Sequence, residues 1–408
     1  MRPLLKVPLY TLGIYTTYVA TAHFYTRHII SNRTPEEKFH SLKLWGRFEN
    51  PFVEYRPQTI YEFLVVRVLE LFGLSGKFTL PTSMEQRKLD LNWQAVDNAK
   101  LIQNLNKDDQ ISYTWIGQSC AIVNCKGLRI LTDPVFGDHL ISKKFGPERI
   151  LPIPVTINEE LIENIDVVVV SHDHPDHLEF ESIQLLLDKK WVVPLGMKRI
   201  LLKWGIQDRQ IVELDWWQSI QINKDSQENW QLDKVISYKN KESQHDKLNA
   251  IQAQDGCFEL VCLPAMHWSG RSLASTNASL WCTFLVRDSN NSNLFFHGGD
   301  TGYTDGLFRQ ISKSFAGPLQ LAALPIGQYC PEWHQAPRHI SPSEALKIAN
   351  ELKAKNVVGV HWGTWVLSAE NYTEPARTFR KLQRSKEAQN TNVKVIGPGE
   401  TLELEFKS

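Results

Sequence analysis

The alternation of apolar and polar positions divides the chain near residue 110. Beyond it, short β-rich runs are separated by turns. ISYTWIG (111–117), AIVNC (121–125) and LRILT (128–132) read as a meander, with Lys126–Gly127 as a hairpin turn. IDVVVVS (165–171) is continuously apolar, as expected of a strand buried on both faces. Further strands are predicted in CFELVCLP (257–264), LWCTFLV (280–286), LFFHGG (294–299), LAALPIG (321–327) and NVVGVH (356–361). The run 341–356 predicts a helix, with Ser341 as N-cap, Pro342 in the first turn and Glu344 completing a capping box. Residues 222–256 are polar and poor in apolar positions, and read as a surface insertion between two strands. The pattern is that of an α/β chain with mixed sheets.

Before residue 110 the pattern is helical and unusually apolar. Lys6 and Arg27 bracket twenty uncharged residues, about 30 Å of helix, of which only eight are Ala, Val, Ile, Leu or Phe. No acid precedes Glu36, and the stretch is basic and hydroxyl-rich. That composition predicts a mitochondrial targeting or membrane-anchor segment over 1–35, the alternative being an ordinary helix lying on the protein. In 59–72 charges occur only at Glu62, Arg67 and Glu70, so this helix is either deeply buried or dips into a membrane surface. The organisation expected is therefore a lead over 1–35, a helical region over 36–75 that contacts a membrane, and one catalytic domain over 76–408.

Composition narrows the classes. The 408 residues carry 45 basic and 45 acidic side chains, and a chain without basic excess is a poor nucleic-acid binder. Six cysteines without CxxC spacing read as reduced core residues. Histidine stands out: there are thirteen, and three of them lie in His172-Asp173-His174-Pro175-Asp176-His177, directly after the valine strand. This HxHxDH cluster places four nitrogen and oxygen donors within six residues, a set that suits zinc and can serve two adjacent ions. A two-metal site needs more donors and a bridging carboxylate. His267, Asp300 and His361 each end a predicted strand and are the candidates. His297, within an apolar strand end, is expected in a core or supporting role.

With these in place, the chain resembles the metallo-β-lactamase superfamily of dinuclear hydrolases. The resemblance is closer to the phospholipase D group that hydrolyses N-acyl phosphatidylethanolamine. The segments carrying it are TWIGQS (114–119), LTDPVFG (131–137), GPERI (146–150), the HxHxDH run, VELDWW (212–217), HWSGRSL (267–273), GGDTGY (298–303), PIGQYCPEW (325–333), RHISPSEAL (338–346) and HWGTW (361–365). It implies an αββα sandwich with two zinc ions at one edge. One ion would take His172, His174 and His267, and the other Asp176, His177 and His361, with Asp300 bridging and a hydroxide between them. The resemblance also implies that Asp133 orients a ligand imidazole and that His339 meets the phosphate. Arg271 is expected to bind phosphate or to form a structural ion pair, and Trp217, with Trp216, to border a lipid channel or pack the core. Two positions depart from the group: Gln118 stands where it often has His, and Pro175 where it often has an aromatic residue.

The implied reaction releases an N-acylethanolamine and leaves phosphatidic acid. Another dinuclear hydrolase of this fold (a lactonase, thioesterase or nuclease) is the enzymatic alternative, and a metal-bearing lipid-binding protein without turnover the non-enzymatic one. The expected partner is a membrane phospholipid, with membrane association, no nucleic acid and a homodimer left open. The expected location is the mitochondrial inner membrane, or else another intracellular membrane.

Overall fold

The computed structural model describes residues 3–34, 37–72, 80–144, 146–227, 229–238 and 256–406. Two mixed sheets pack face to face. The first has seven strands in the spatial order Thr401–Glu405, Gln110–Gly117, Cys120–Cys125, Leu128–Thr132, Val167–Val169, Lys190–Pro194 and Ile211–Leu214. The second has eight: Trp230–Ser237, Gln218–Lys224, Phe258–Leu263, Thr283–Asp288, Asn293–His297, Leu319–Pro325, Ala354–Val360 and Asn392–Lys394. The meander expected over 111–132 is the antiparallel part of the first sheet; the valine strand lies in its parallel part.

Strand period explains the layers. Val167 and Val169 point between the sheets, in one core with Tyr113, Trp115, Ile220, Leu260 and Phe295, where Tyr113 and Phe295 bring their rings to 5.8 Å. Val168 and Val170 point the other way, into a second core with Leu101, Leu161, Ile183 and Leu201 from the covering helices. Successive side chains of a strand face opposite sides, so a run of four valines is what a strand covered on both faces requires. On the far side Leu307–Ser314, Pro342–Glu351 and Glu374–Leu382 cover the second sheet. The capping box of Pro342–Glu351 forms as predicted, Ser341 Oγ accepting from Glu344 N. The helix stops five residues short of the expected end, because Lys353 turns the chain in the left-handed region (φ 55°) and Ala354 joins the sheet.

The polar segment over 222–256 is partly sheet. Trp230–Ser237 forms a hairpin with Gln218–Lys224, burying Ile222, Trp230 and Ile236 on one face while its polar residues line the outer edge. Residues 239–255 lie outside the described residues. Behind this hairpin the Arg287 guanidinium donates to Glu259 at 2.8 Å with both side chains almost fully buried, and Ser219 and Tyr238 also donate to Glu259. Removing one partner of a buried pair leaves the other charge uncompensated, so Arg287→Ala is expected to lower unfolding stability by about 3–5 kcal/mol. Urea unfolding measures this; a loss within about 0.5 kcal/mol, as at a surface site, would refute it. All six cysteines are free and five are buried.

The N-terminal arm packs on loops that connect strands of the second sheet, Phe48 N donating to the Asn277 carbonyl at 2.8 Å and Lys38 Nζ to the Asp305 carbonyl at 3.3 Å. Its 29-residue helix Pro3–Ser31 is tied down by Arg27, which donates to the carbonyls of Val53 at 2.6 Å and Tyr55 at 3.4 Å. The helix Ile60–Leu71 packs beside it, with the Tyr15 hydroxyl accepting from Ile60 N at 3.0 Å. No described helix is long and apolar enough to cross a membrane.

Candidate metal centre

Strand ends build the site. His172, His174, Asp176 and His177 follow Val167–Val169, and Asp133 follows Leu128–Thr132. His267 follows Phe258–Leu263, Asp300 follows Asn293–His297 and His361 follows Ala354–Val360. Gln118 sits in the turn between Gly117 and Cys120. Pairing within the two sheets brings these ends to one edge, so donors separated by up to 189 positions share a buried cluster.

Two donor sets result, His172/His174/His267 and Asp176/His177/Asp300/His361, linked by a third group, His267/Asp300/His339, and the ligand atoms within each lie within 4.8 Å of one another. His174 Nδ1 is 2.8 Å from His172 Nε2 and 3.3 Å from His267 Nε2. In the other set His177 Nε2 and His361 Nε2 are 3.3 Å apart. Asp300 stands between the sets. Its carboxylate lies 3.1 Å from His361 Nε2, 3.2 Å from His177 Nε2, 3.7 Å from His267 Nε2 and 4.0 Å from His172 Nε2. Asp300 Oδ1 is buried and accepts no hydrogen bond.

These features fit divalent cations. Imidazole nitrogens converging at such distances can share few protons, and a buried carboxylate oxygen without a donor is costly unless a cation faces it. The opposite ring nitrogens set the tautomers that direct lone pairs inward. His267 Nδ1 donates to the Arg338 carbonyl at 2.9 Å, and His177 Nδ1 to Asp133 at 2.8 Å. Ser171 Oγ lies 2.9 Å from His172 Nδ1 and also donates to Asp133. Asp133 further accepts from His297 Nε2 at 2.8 Å, the supporting role expected of that histidine. Outer partners of this kind orient metal-ligating histidines and raise their basicity.

The backbone is strained where these groups converge. Gln118 (φ 51°), Asp133 (φ 39°) and His361 (φ 62°) all adopt the left-handed region, each at a cost of about 1–3 kcal/mol that surrounding packing must offset. Gly299 (φ +51°) allows the close approach beside Asp300, since a Cβ there would stand 2.5 Å from Ser171 Cβ.

Proton affinities differ between the sets. Burial pushes His174 and His267 down to about 3 and His172 well below its usual value. Burial also lowers His361 and His177, but the surrounding carboxylates outweigh it, raising His361 to about 9 and His177 well above the ordinary range. At pH 7 the three-histidine set is therefore neutral, while in the other set His177 and His361 are protonated and the carboxylates of Asp176 and Asp300 ionised. Cation uptake by the latter is expected to release protons, with an affinity that rises with pH through about 9, where His361 gives up its proton, whereas uptake by the former releases none. Titration calorimetry of the metal-free protein in buffers of different ionisation enthalpy measures this; the same heat in every buffer for all binding steps would contradict it.

Among the other expected residues, His339 joins the cluster, buried, with Nδ1 3.8 Å from Asp300 and its ring 5.1 Å from that of His267. Arg271 does not. Its Nη1 donates to the carbonyls of Asp173 at 3.0 Å and Leu178 at 2.6 Å, tying down both ends of the HxHxDH loop, and its guanidinium lies over Trp204. Trp217 is packed in the core with Nε1 donating to the Phe39 carbonyl, and Trp216 donates to the Trp281 carbonyl.

Sequence reasoning missed Asn50 and Ser171 and noted Gln118 only as a departure. Gln118 Nε2 donates to Asp176 at 2.8 Å and lies 2.7 Å from His361 Nε2; its departure from the group's usual histidine was the available signal. Asn50, 217 positions before its partner, donates to the His267 carbonyl, and Ser171 supports three site residues; neither had a signal in spacing.

The β-lactamase superfamily domain matches residues 128–362. The mitochondrial N-acyl-phosphatidylethanolamine-hydrolysing phospholipase D of Saccharomyces cerevisiae is 39% identical over 376 residues, spanning 85% of this chain and 73% of that protein. N-acyl-phosphatidylethanolamine-hydrolysing phospholipase D 1 of Caenorhabditis elegans is 31% identical over 349 residues, spanning 81% and 88%. Among solved structures, an isothiocyanate hydrolase from Delia radicum gut bacteria shares the fold, with a TM-score of 0.50 at 14% identity over 72% of this chain and 99% of that one. The architecture, the clustered histidines and aspartates and these relatives agree: the chain belongs to the β-lactamase superfamily and, within it, to the family of N-acyl-phosphatidylethanolamine-hydrolysing phospholipases D.

Proposed function

We propose that this protein is a mitochondrial, membrane-associated phospholipase D that holds two zinc ions and hydrolyses N-acyl phosphatidylethanolamine to an N-acylethanolamine and phosphatidic acid. The observation that carries the reading is Asp300 standing between two donor sets, in a chain 39% identical to the yeast mitochondrial enzyme. Mixed imidazole and carboxylate donors suit zinc. When bound, two such ions neutralise the diester and lower the pKa of an attacking water.

The chain's own residues hold the geometry for that chemistry. Asp133 keeps the His177 proton on Nδ1, the Arg338 carbonyl does the same for His267, and the Gln118 amide orients Asp176. Burial pushes the His339 proton affinity well below the usual histidine value, so its ring is neutral at pH 7, and its Nδ1 has no hydrogen-bond partner. A neutral imidazole carries one N–H, which His339 can direct to a phosphate oxygen or to the departing alkoxide.

The arm supports a lipid substrate. Ile60, Leu64, Val65 and Val68 are exposed on one helix, with Phe72 just beyond its end, and Tyr10, Ile14, Tyr18 and Phe24 on its neighbour. Apolar faces of this extent suit a lipid surface. The test is incubation of the zinc-loaded full chain with N-acyl phosphatidylethanolamine in mixed micelles, with identification of products. Release of N-acylethanolamine with phosphatidic acid is expected; cleavage of a lactone or thioester without it would overturn the reading.

A further inference from the structure

The helix Ile60–Leu71 turns an acid inward. Among its described side chains Ile60, Leu64, Val65 and Val68 are exposed together with Arg67, while Glu62 faces the protein at 8% exposure beside buried Val66. A helix on a soluble domain normally buries its apolar stripe and exposes its charges. An inward carboxylate is costly to desolvate unless cations and donors meet it. Here three do, all at Glu62 Oε1: His334 Nδ1 at 2.6 Å, Arg56 Nη2 at 3.2 Å and Arg338 Nη2 at 3.6 Å.

Those partners lead into the site. Arg338 is 2% exposed, donates from Nη1 to the Arg56 carbonyl at 3.2 Å, and also donates to the His334 carbonyl. Its own carbonyl accepts the Nδ1 proton of His267 at 2.9 Å. The next residue, His339, lies within the metal cluster. Two short steps therefore connect a helix whose free face is largely apolar to two imidazoles of the site. A lipid surface that binds the seated helix better than the unseated one shifts the arm toward the seated state, by as much as that difference allows.

We propose that Glu62 is a positioning residue that couples contact of the Ile60–Leu71 helix with a lipid surface to the alignment of His267 and His339. The inference deepens the phospholipid reading above and rests on it. Glu62 touches neither substrate nor reacting atoms; it acts through Arg338 and His334.

The experiment compares the full-length wild type with Glu62→Gln and Glu62→Asp. Amide hydrogen exchange across 333–340 is followed with and without vesicles of equal parts phosphatidylcholine and phosphatidylglycerol. The kcat and KM are measured on vesicle-borne N-acyl phosphatidylethanolamine and on a dissolved short-chain analogue. Vesicles are expected to slow exchange about 10-fold in the wild type and not in Glu62→Gln. Glu62→Gln should lower kcat on vesicles about 10-fold or more, with KM, vesicle co-sedimentation and kcat on the dissolved analogue within about twofold, and Glu62→Asp should restore part of the loss. Vesicle-induced protection that persists in Glu62→Gln, or equal losses on dissolved and vesicle substrates, would overturn the coupling. Should Glu62→Gln not fold, the exchange difference between wild type and Glu62→Asp decides: equal protection overturns the coupling, reduced protection supports it. Wild-type protection without any lipid hydrolysis would sink the substrate reading and leave the coupling standing.

Discussion

Asp300→Ala is expected to lower turnover by at least about 10⁴-fold, some 5.5 kcal/mol of transition-state stabilisation, and to reduce the metal retained per chain. The size follows from position. Asp300 is a buried carboxylate whose oxygens face His361, His177, His267, His339 and His172 at 3.1–4.0 Å. Among the described residues it is the acid that groups both with His177 and His361 and with His267. Without it, two cations at this edge would repel each other with no anion between them, in a region where burial strengthens every charge interaction. Asp300→Asn keeps the volume and removes the charge, and should lose nearly as much, which separates charge from packing. Metal analysis per chain, turnover and thermal unfolding are measured together. A folded Asp300→Ala variant that retains its full metal complement and turns over within tenfold of wild type would rule out the bridging role.

Asp133→Asn is expected to leave the fold intact while weakening metal affinity about 10–100-fold. Asp133 contacts no predicted substrate position. It accepts from Ser171 N at 2.7 Å, Ser171 Oγ at 2.9 Å, His177 Nδ1 at 2.8 Å and His297 Nε2 at 2.8 Å. Burial raises its proton affinity, but the adjacent His297 and His177 more than offset this and bring it down to about 2. Asparagine is the clean substitution because the left-handed backbone (φ 39°) suits Asn as well as Asp. Asp133 Oδ2 accepts from His177, His297 and Ser171 Oγ, and Oδ1 from Ser171 N, so an amide N–H in place of Oδ2 removes the acceptor that fixes the His177 tautomer, and in place of Oδ1 it opposes the Ser171 N–H. Competition against a chelator of known affinity measures the effect. Unchanged affinity would mean that His177 is oriented by packing alone.

Much of this site was legible before any coordinates because its densest part is local. HxHxDH places four donors within six residues, and a buried strand that stops there has few packing uses for them. His267, Asp300 and His361 were legible for a related reason: each closes an apolar run, and strand ends are where mixed sheets deliver side chains to an edge. The strands of a mixed α/β chain were likewise written in short apolar runs, with the valine run marking the strand covered on both faces, whereas the αββα layering was implied by the family resemblance alone. The sheet hairpin inside 222–256 was hidden because an edge strand exposes one side and much of its backbone, so its composition resembles a loop. Gln118 was noticed only as a departure, since a glutamine between two strands has no spacing that marks it as a site residue.

Arg271 and Trp217 show where sequence stops. Both lie in segments that carry the family resemblance, and the chemistry of either side chain suits a phosphate or a lipid. The structure gives each a partner distant in the chain: two loop carbonyls accept from the Arg271 Nη1, and the Phe39 carbonyl accepts from the Trp217 N–H. The same holds for the helix over 60–72, whose near-uniform apolar character was compatible with burial or with a membrane surface.

The sequence by itself determined the strand pattern, the donor types and the order in which they enter the site, because periodicity and covalent spacing act over a few residues. Only the tertiary structure decided that Asp300 stands between two donor sets, that Asp133 and the Arg338 carbonyl set the imidazole tautomers, and that Glu62 turns inward while its helix shows a largely apolar face. Those outcomes depend on which buried polar group finds which partner across hundreds of positions, and the need to pair every desolvated charge is met only when the whole chain has packed.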